Sequence, residues 1–480
     1  MRLPDSFISN GLLPLKMVAH PCTTLVSVLP GRKLINKKSI FTPVVSRTTP
    51  LKKHLLILAI LASLCVSLPA MATNGYWAHG YGPKSKSIAG ACVAMSFGAM
   101  CAASNPASLS VVGNKVEVGA ALFAPTRGFT ANDDAMTPPY ASIPPGEYES
   151  ENPYFLIPHF AYNQMLDEVS SLGVAMFANG GMNTEYDSAV FSRFSPPYPG
   201  YEAYQASSPT GIDLKQMFFV MSYSRMLNQQ HSIGIAPVLG IQAFSAEGLE
   251  PFKMFSLHPD KVTNNGTDYA YGLGLRVGWL WRVDEQWKIG ASYQTKIYMT
   301  DFDDYEGLFA EGGNFDVPAN LDLGFSYRFL PDWTFAFDYQ RIWYSDVPAI
   351  GNTSDLVFTP GSILLGTDNG LGFGWNDVNV YKFGVQWEYD SDLTLRAGYS
   401  YATDAFDGSQ ALFNILAPAV VKHHYTAGLG WKLYNDSQIN VAFMYAPEES
   451  VAGTNPNTGP QTGEVWMDQW EIEVGWSTRF

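Results

Sequence analysis

The sequence predicts an all-β protein, a transmembrane antiparallel β-barrel of about fourteen strands with a small N-terminal plug inside the lumen. Three observations carry this expectation. Apolar and polar residues alternate with period two along most of the chain after Asn114, which is the pattern of half-buried strands. The links between these segments are alternately short and long, as in outer-membrane barrels with short periplasmic turns and longer extracellular loops. The composition is poor in charge (15%) and rich in aromatics (14%), yet no apolar run long enough for a membrane helix follows position 72.

The first 72 residues read as targeting sequence. The longest apolar run, Leu55 to Leu68, follows Lys52, Lys53 and His54 and ends at Ala70-Met71-Ala72. A basic stretch, an apolar stretch and a small-residue cleavage pattern describe a secretory signal peptide over 51–72, with cleavage expected before Thr73. Residues 1–50 have no periodicity and are expected to be a non-native upstream extension, with the true start near Leu51. Residues 1–72 together hold nine of the 29 basic residues and one of the 44 acidic ones, so the remainder carries a net charge of −23. That acidity excludes a nucleic-acid partner. Two of the four cysteines remain, Cys92 and Cys101. In an exported protein they are equally compatible with a disulfide and with free thiols.

Fourteen segments alternate: about 114–124, 153–163, 170–180, 212–226, 231–246, 268–283, 286–299, 318–329, 332–345, 376–389, 391–402, 421–433, 437–447 and 465–480. In one of them Trp333, Phe335, Phe337 and Tyr339 alternate with Thr334, Ala336, Asp338 and Gln340. Pro125 is read as closing the first segment, and Pro158 interrupts the second. An even count suits a closed barrel, here 114–480. On the lumen-facing parity lie the charges Lys288, Lys296, Arg328, Asp338, Lys382, Glu388, Arg396, Glu471 and Glu473. The last segment places Trp470, Ile472, Val474, Trp476 and Phe480 on the other parity. A terminal aromatic strand of this kind resembles an assembly signal, so Phe480 is expected to meet the barrel-assembly machinery, with lipid around a monomeric barrel.

Thr73 to Gly113 precede the strands, rich in small residues and without alternation. Fourteen strands enclose more space than side chains fill, since about eight suffice for that. A plug over 73–113 answers both facts. Asn105-Pro106-Ala107 near its end resembles the NPA motif of the FadL/TodX family of outer-membrane transporters for long-chain fatty acids and hydrocarbons. Further similarities run along the chain, in Thr73-Asn74-Gly75-Tyr76-Trp77-Ala78, Asn179-Gly180-Gly181-Met182-Asn183-Thr184, Gly307 to Ala319 and Phe337 to Asp346. The cysteine pair in the plug departs from the family pattern. The resemblance implies capture between two extracellular loops and passage to a pocket near the N-terminus, where Thr73, Asn74, Gly75, Asn105, Pro106 and Ala107 form plug and gate. It further implies exit through the wall beside a kinked third strand.

The residues support that route on their own terms. The loop 247–267 contains Leu249, Phe252, Met254, Phe255 and Leu257, and the loop 300–317 adds Leu308, Phe309 and Phe315. Extracellular loops this apolar are costly in water unless they pack together or bind something. Gly180-Gly181 interrupts the third segment, and glycine pairs in strands mark bulges or weakened pairing. The expected function is passive, diffusion-driven uptake of hydrophobic compounds, foremost long-chain fatty acids, through the outer membrane of a Gram-negative bacterium. No cofactor, metal or catalytic constellation is expected. A general porin for polar solutes and an outer-membrane adhesin are the rival readings.

Overall fold

Period-two alternation becomes strand wherever one face meets lipid and the other meets the plug. A computed structural model describes residues 74–132, 141–195, 198–359, 361–434 and 436–480. The upstream extension, the signal segment and Thr73 lie outside these residues. The barrel strands are β1 (Lys115–Ala131), β2 (Phe155–Met165), β3 (Ser170–Tyr186), β4 (Thr210–Met226) and β5 (His231–Glu247). They continue with β6 (Asp268–Arg282), β7 (Trp287–Gln294), β8 (Asn320–Leu330), β9 (Trp333–Ile342) and β10 (Val378–Glu388). The last four are β11 (Leu393–Ala402), β12 (His423–Lys432), β13 (Ser437–Thr454) and β14 (Thr462–Arg479). Each pairs antiparallel with its neighbours in chain order, and β14 returns to β1 from Lys115↔Arg479 to Ala131↔Gly463. Two short strands attach to this wall: Gly146–Glu149 on β1 and Tyr298–Met299 on β6.

Closure removes sheet edges, the condition for a β protein to span hydrocarbon. The parity of β14 is as the sequence predicts: Ile472 is 41% and Val474 49% exposed, whereas Glu471 and Glu473 are 2%. Stacked aromatic pairs lie near the short turns of the outer face, among them Trp333 on Trp387 at 4.9 Å and Trp287 on Tyr327 at 4.3 Å. Of the expected lumen charges, Asp338, Lys382, Arg396, Glu471 and Glu473 are buried and Lys288 and Lys296 half-buried. Arg328 and Glu388, next to short turns, are exposed instead.

Several strands outrun their expected ends toward the long loops. β1 does not stop at Pro125 but continues to Ala131, because Pro125 falls between its last pair with β2, Phe123↔Phe155, and its first with the short strand, Gly128↔Glu149. A missing N–H can face that unpaired side without loss of a ladder bond. The β13–β14 hairpin likewise extends through most of the expected loop 448–464, past a bulge between Ala446 and Glu449.

Residues 74–113 fill the lumen with one helical turn, Pro83–Lys86, and two 3-10 segments, Ala99–Ala103 and Pro106–Val111. Opposite charges fasten them to the wall. Lys84 lies 2.9 Å from Glu117 of β1, and Lys86 lies 2.7 Å from Glu471 and 3.2 Å from Glu473 of β14. His159 of β2 reaches Glu473 at 2.7 Å. Asn105 caps the second 3-10 segment by accepting from the Ala107 N–H at 3.0 Å. Its amide donates to the carbonyls of Val93 (2.8 Å) and of Trp279 in β6 (3.0 Å). The NPA segment lies so close to β5 and β6 that a Cβ on Gly234 would collide with the Pro106 and Ala107 backbone, and one on Gly278 with the Asn105 side chain and the Pro106 ring. Cys92 and Cys101 are free, and burial pushes the Cys92 thiol up to about 12, which leaves it protonated and unreactive.

The Lys86 cluster makes a testable claim on stability. Lys86→Met removes the one lysine that pairs with the buried Glu471 and Glu473 and should destabilise the folded barrel by about 3–5 kcal/mol. Urea titration followed by electrophoretic migration of the folded form checks this, and an unchanged midpoint contradicts it.

Candidate functional site

The wall is not paired throughout. β2 and β3 are hydrogen-bonded from Met165↔Ser171 only as far as His159↔Phe177. Beyond Phe177, β3 keeps its pairing with β4 but loses β2, and a bulge falls between Ala178 and Gly180. The glycine pair Gly180 and Gly181 thus sits where pairing on one side ends. The exposed edge finds other partners. Ala78 N–H donates to the Asn179 carbonyl at 2.8 Å, and Trp77 forms a backbone bridge with Gly180. Tyr81 donates to the Asn179 side chain at 2.7 Å. Farther along, the Arg127 guanidinium of β1 spans to the carbonyl and the side chain of Asn183, each at 2.6 Å, and to the Asn152 carbonyl at 2.9 Å. Glu151 N–H then restores a bond to Glu185 at 2.9 Å. The unpaired stretch is therefore a window with a defined frame. Inside it lies a cavity of about 340 Å³ lined by Phe123, Pro125, Arg127, Phe155, Gly181, Met182, Asn183, Trp375, Ala417 to Ala419 and Met467.

A second cavity, of about 480 Å³, lies among the long loops. Four of the predicted loop residues line it: Leu249, Phe252, Leu308 and Phe309. The other four do not. Met254 is half-buried off the cavity, and Phe255 stacks on Phe358 at 4.7 Å. Phe315 packs behind Phe309 at 4.9 Å, and Leu257 is 48% exposed. Sequence reasoning missed the opposite wall, made by Ala349, Leu365, Leu371 and Phe373 from the connection after β9 and by Phe413 and Leu416 from that after β11. The apolar run Ala411-Leu412-Phe413-Asn414-Ile415-Leu416, set inside an expected loop, was the available signal.

The N-terminal residues lie close to both cavities. The Asn74 carbonyl accepts from the Tyr344 hydroxyl at 2.5 Å, and Asn74 to Trp77 closes a tight turn through Gly75. Tyr76 meets Phe315 at 6.4 Å, Tyr344 at 5.3 Å and Trp375 at 5.9 Å. Rings therefore run without a break from Phe309 of the loop cavity through Phe315 and Tyr76 to Trp375 of the wall cavity. Asn105, Pro106 and Ala107 stand apart from both, at the plug's contact with β5 and β6. They serve to anchor the plug. Among the described residues no cluster of metal-ligating side chains occurs.

A closed barrel with an apolar outer belt and a plugged lumen defines a transmembrane β-barrel of the outer-membrane kind. The family described as "Outer membrane protein transport protein (OMPP1/FadL/TodX)" matches residues 67–473, and the chain belongs to it. It is thus an outer-membrane transport protein of Gram-negative type, and the resemblance read from the plug and strand motifs is borne out. Solved structures share the fold. The Pseudomonas putida toluene transporter TodX is 23% identical with a TM-score of 0.63, over 84% of this chain and 99% of that one. A Pseudomonas aeruginosa FadL homologue is 14% identical with a TM-score of 0.60, over 85% and 100%. The Ralstonia pickettii toluene transporter TbuX is 17% identical with a TM-score of 0.54, over 84% and 99%. No curated relative matches the chain.

Arg127 joins β1 to β3 across the window. Arg127→Ala should cost about 2–3 kcal/mol through lost charge-assisted hydrogen bonds to buried carbonyls. It should also raise protease sensitivity of the β1–β2 connection, measured by limited proteolysis of the inserted barrel; identical digestion of variant and parent would contradict the assigned clamp.

Proposed function

We propose that the chain is a passive, diffusion-driven channel for hydrophobic compounds, with long-chain fatty acids as the foremost substrate class. The observation that carries this reading is the succession of an apolar loop cavity, a continuous path of rings and a window in the wall. Leu249, Phe252, Leu308 and Phe309 take the compound from outside. Phe315 supports Phe309, while Met254, Phe255 and Leu257 form the approach. Tyr76 and the turn at Asn74 and Gly75 form the gate, and Gly180 and Gly181 border the exit. Lateral exit fits the chemistry of the cargo. A hydrophobic compound released into the bilayer never crosses the polar half of the plug.

Burial drives binding in this scheme. Each added methylene contributes about 0.8 kcal/mol, roughly fourfold in affinity, until the cavity is full. Selectivity among acyl chains is correspondingly broad. Monoaromatic hydrocarbons are the second substrate class, favoured by the five phenylalanines in the cavity lining, Phe244, Phe252, Phe309, Phe373 and Phe413. The neighbours named as toluene transporters point the same way.

Two measurements test the proposal. Cells lacking their own transporter should take up labelled long-chain fatty acid when the protein is inserted in their outer membrane; no gain speaks against the acyl-chain version, and uptake of labelled toluene in the same cells selects the second class. Phe155→Cys with Met182→Cys places two thiols on the wall cavity. Joining them with a short bifunctional reagent should abolish uptake. Unchanged uptake after verified cross-linking rejects lateral exit.

A further inference from the structure

We infer that the segment Ala411 to Ala419, closed against Phe373 and Trp375, is a septum between the two cavities and determines the width of compound the channel passes. The inference rests on the proposed route from loop cavity to wall window. Consecutive residues of this segment belong to different spaces. Phe413 and Leu416 line the loop cavity, whereas Ala417 and Pro418 line the wall cavity. Phe373 and Trp375 divide in the same way, one on each cavity, with ring centroids 6.1 Å apart. Gly374 between them has φ +69, and a side chain there would collide with Gln410. Leu412 and Ile415 face yet a third cavity, of about 370 Å³, under the β13–β14 hairpin. The segment thus borders three separate cavities, and no barrel strand runs through it.

Its fastenings are few and polar. The Asn414 side chain accepts from Trp375 Nε1 at 2.6 Å and donates to the carbonyls of Phe373 (2.7 Å) and Gln410 (3.0 Å). It thereby locks both halves of the septum with every polar atom satisfied. The other two fastenings come from the strand that borders the window. Tyr186 of β3 donates to the Ile415 carbonyl at 2.6 Å, and Thr184 to the Leu416 carbonyl at 2.9 Å. The wall strand and the septum are thus mechanically joined. Within this arrangement Leu416 and Trp375 set the width, and Asn414 and Tyr186 are positioning residues.

The test compares two labelled substrates in cells that lack their own transporter and carry the full chain: a straight-chain fatty acid and a pyrene-substituted fatty acid. Leu416→Ala should raise the ratio of bulky to straight-chain uptake about tenfold, the scale of steric discrimination by one or two methylenes. Trp375→Phe keeps a ring but removes the donor to Asn414, and it should move the ratio the same way by a smaller factor. A merely structural loss lowers both rates together and leaves the ratio where it was. Folding of each variant is read from its heat-modifiable migration, and if Leu416→Ala does not insert, Trp375→Phe carries the test. An unchanged ratio in inserted variants overturns the septum while leaving the transport reading intact. Absence of uptake of either compound by the unmodified protein overturns the route and the septum with it.

Discussion

Backbone polar groups have no water to turn to at the depth of the hydrocarbon, so a strand that parts from its neighbour there must find other partners. β3 parts from β2 past Phe177, and much of the rest of the structure follows from that separation. The N-terminal turn supplies the Ala78 N–H and the Trp77 bridge, Arg127 reaches across to Asn183, and Glu151 closes the far side on Glu185. The two prolines nearby, Pro125 and Pro158, bring no N–H to satisfy. The window is therefore sealed by groups that are not part of the ladder. Seals of that kind can open without unzipping a strand pair, and a continuous ladder offers no such place.

The plug must be held firmly enough to supply those groups. Its fastening is electrostatic toward β1 and β14 and steric toward β5 and β6. Lys84 and Lys86 find carboxylates on the closing seam of the barrel, and burial on both sides makes each ion pair strongly dependent on its partner. On the opposite side the contact is the NPA segment against glycine, at Gly234 and Gly278. Both the abundance of glycine on the lumen parity and the small residues of the plug reflect this close approach.

Much of this was legible in the sequence, because lipid on one face and plug on the other impose a period of two that few other environments require. The fourteen strands, their order and the lumen charges Asp338, Lys382, Arg396, Glu471 and Glu473 are read directly from it. Strand ends were less legible. In β13 the bulge between Ala446 and Glu449 breaks the alternation, and Glu448 to Thr454 looked like loop. Pro125 suggested an end for a sound reason, yet the neighbour it would have offended is absent there. In the loops, apolar content identified Leu249, Phe252, Leu308 and Phe309 but could not separate them from Phe255 and Phe315, whose partners are other rings. Tertiary neighbours made that distinction. They also supplied Phe373, Phe413 and Leu416, which come from connections that periodicity does not describe.

Along single strands the lumen face changes character, and the change fits the proposed route. On β14 Glu473 and Glu471 give way to Met467 and Val465; on β4 Ser224 and Ser222 give way to Phe218 and Leu214; on β10 Lys382 gives way to Val380 and Val378. On β1 Glu117 is followed by Phe123 and Phe129. The half toward the short turns is thus polar and ionic, and the half toward the long loops is apolar. An apolar compound entering the ionic half would lose roughly 25 cal/mol for each Å² returned to polar surroundings. Its favourable path ends where the lumen changes character, and the break in β3 pairing lies at that level, with Asn179 and Gly180 flanked by Phe177 on one side and Met182 on the other. In the proposed route, position along the barrel, more than any single residue, favours the wall over the floor as exit.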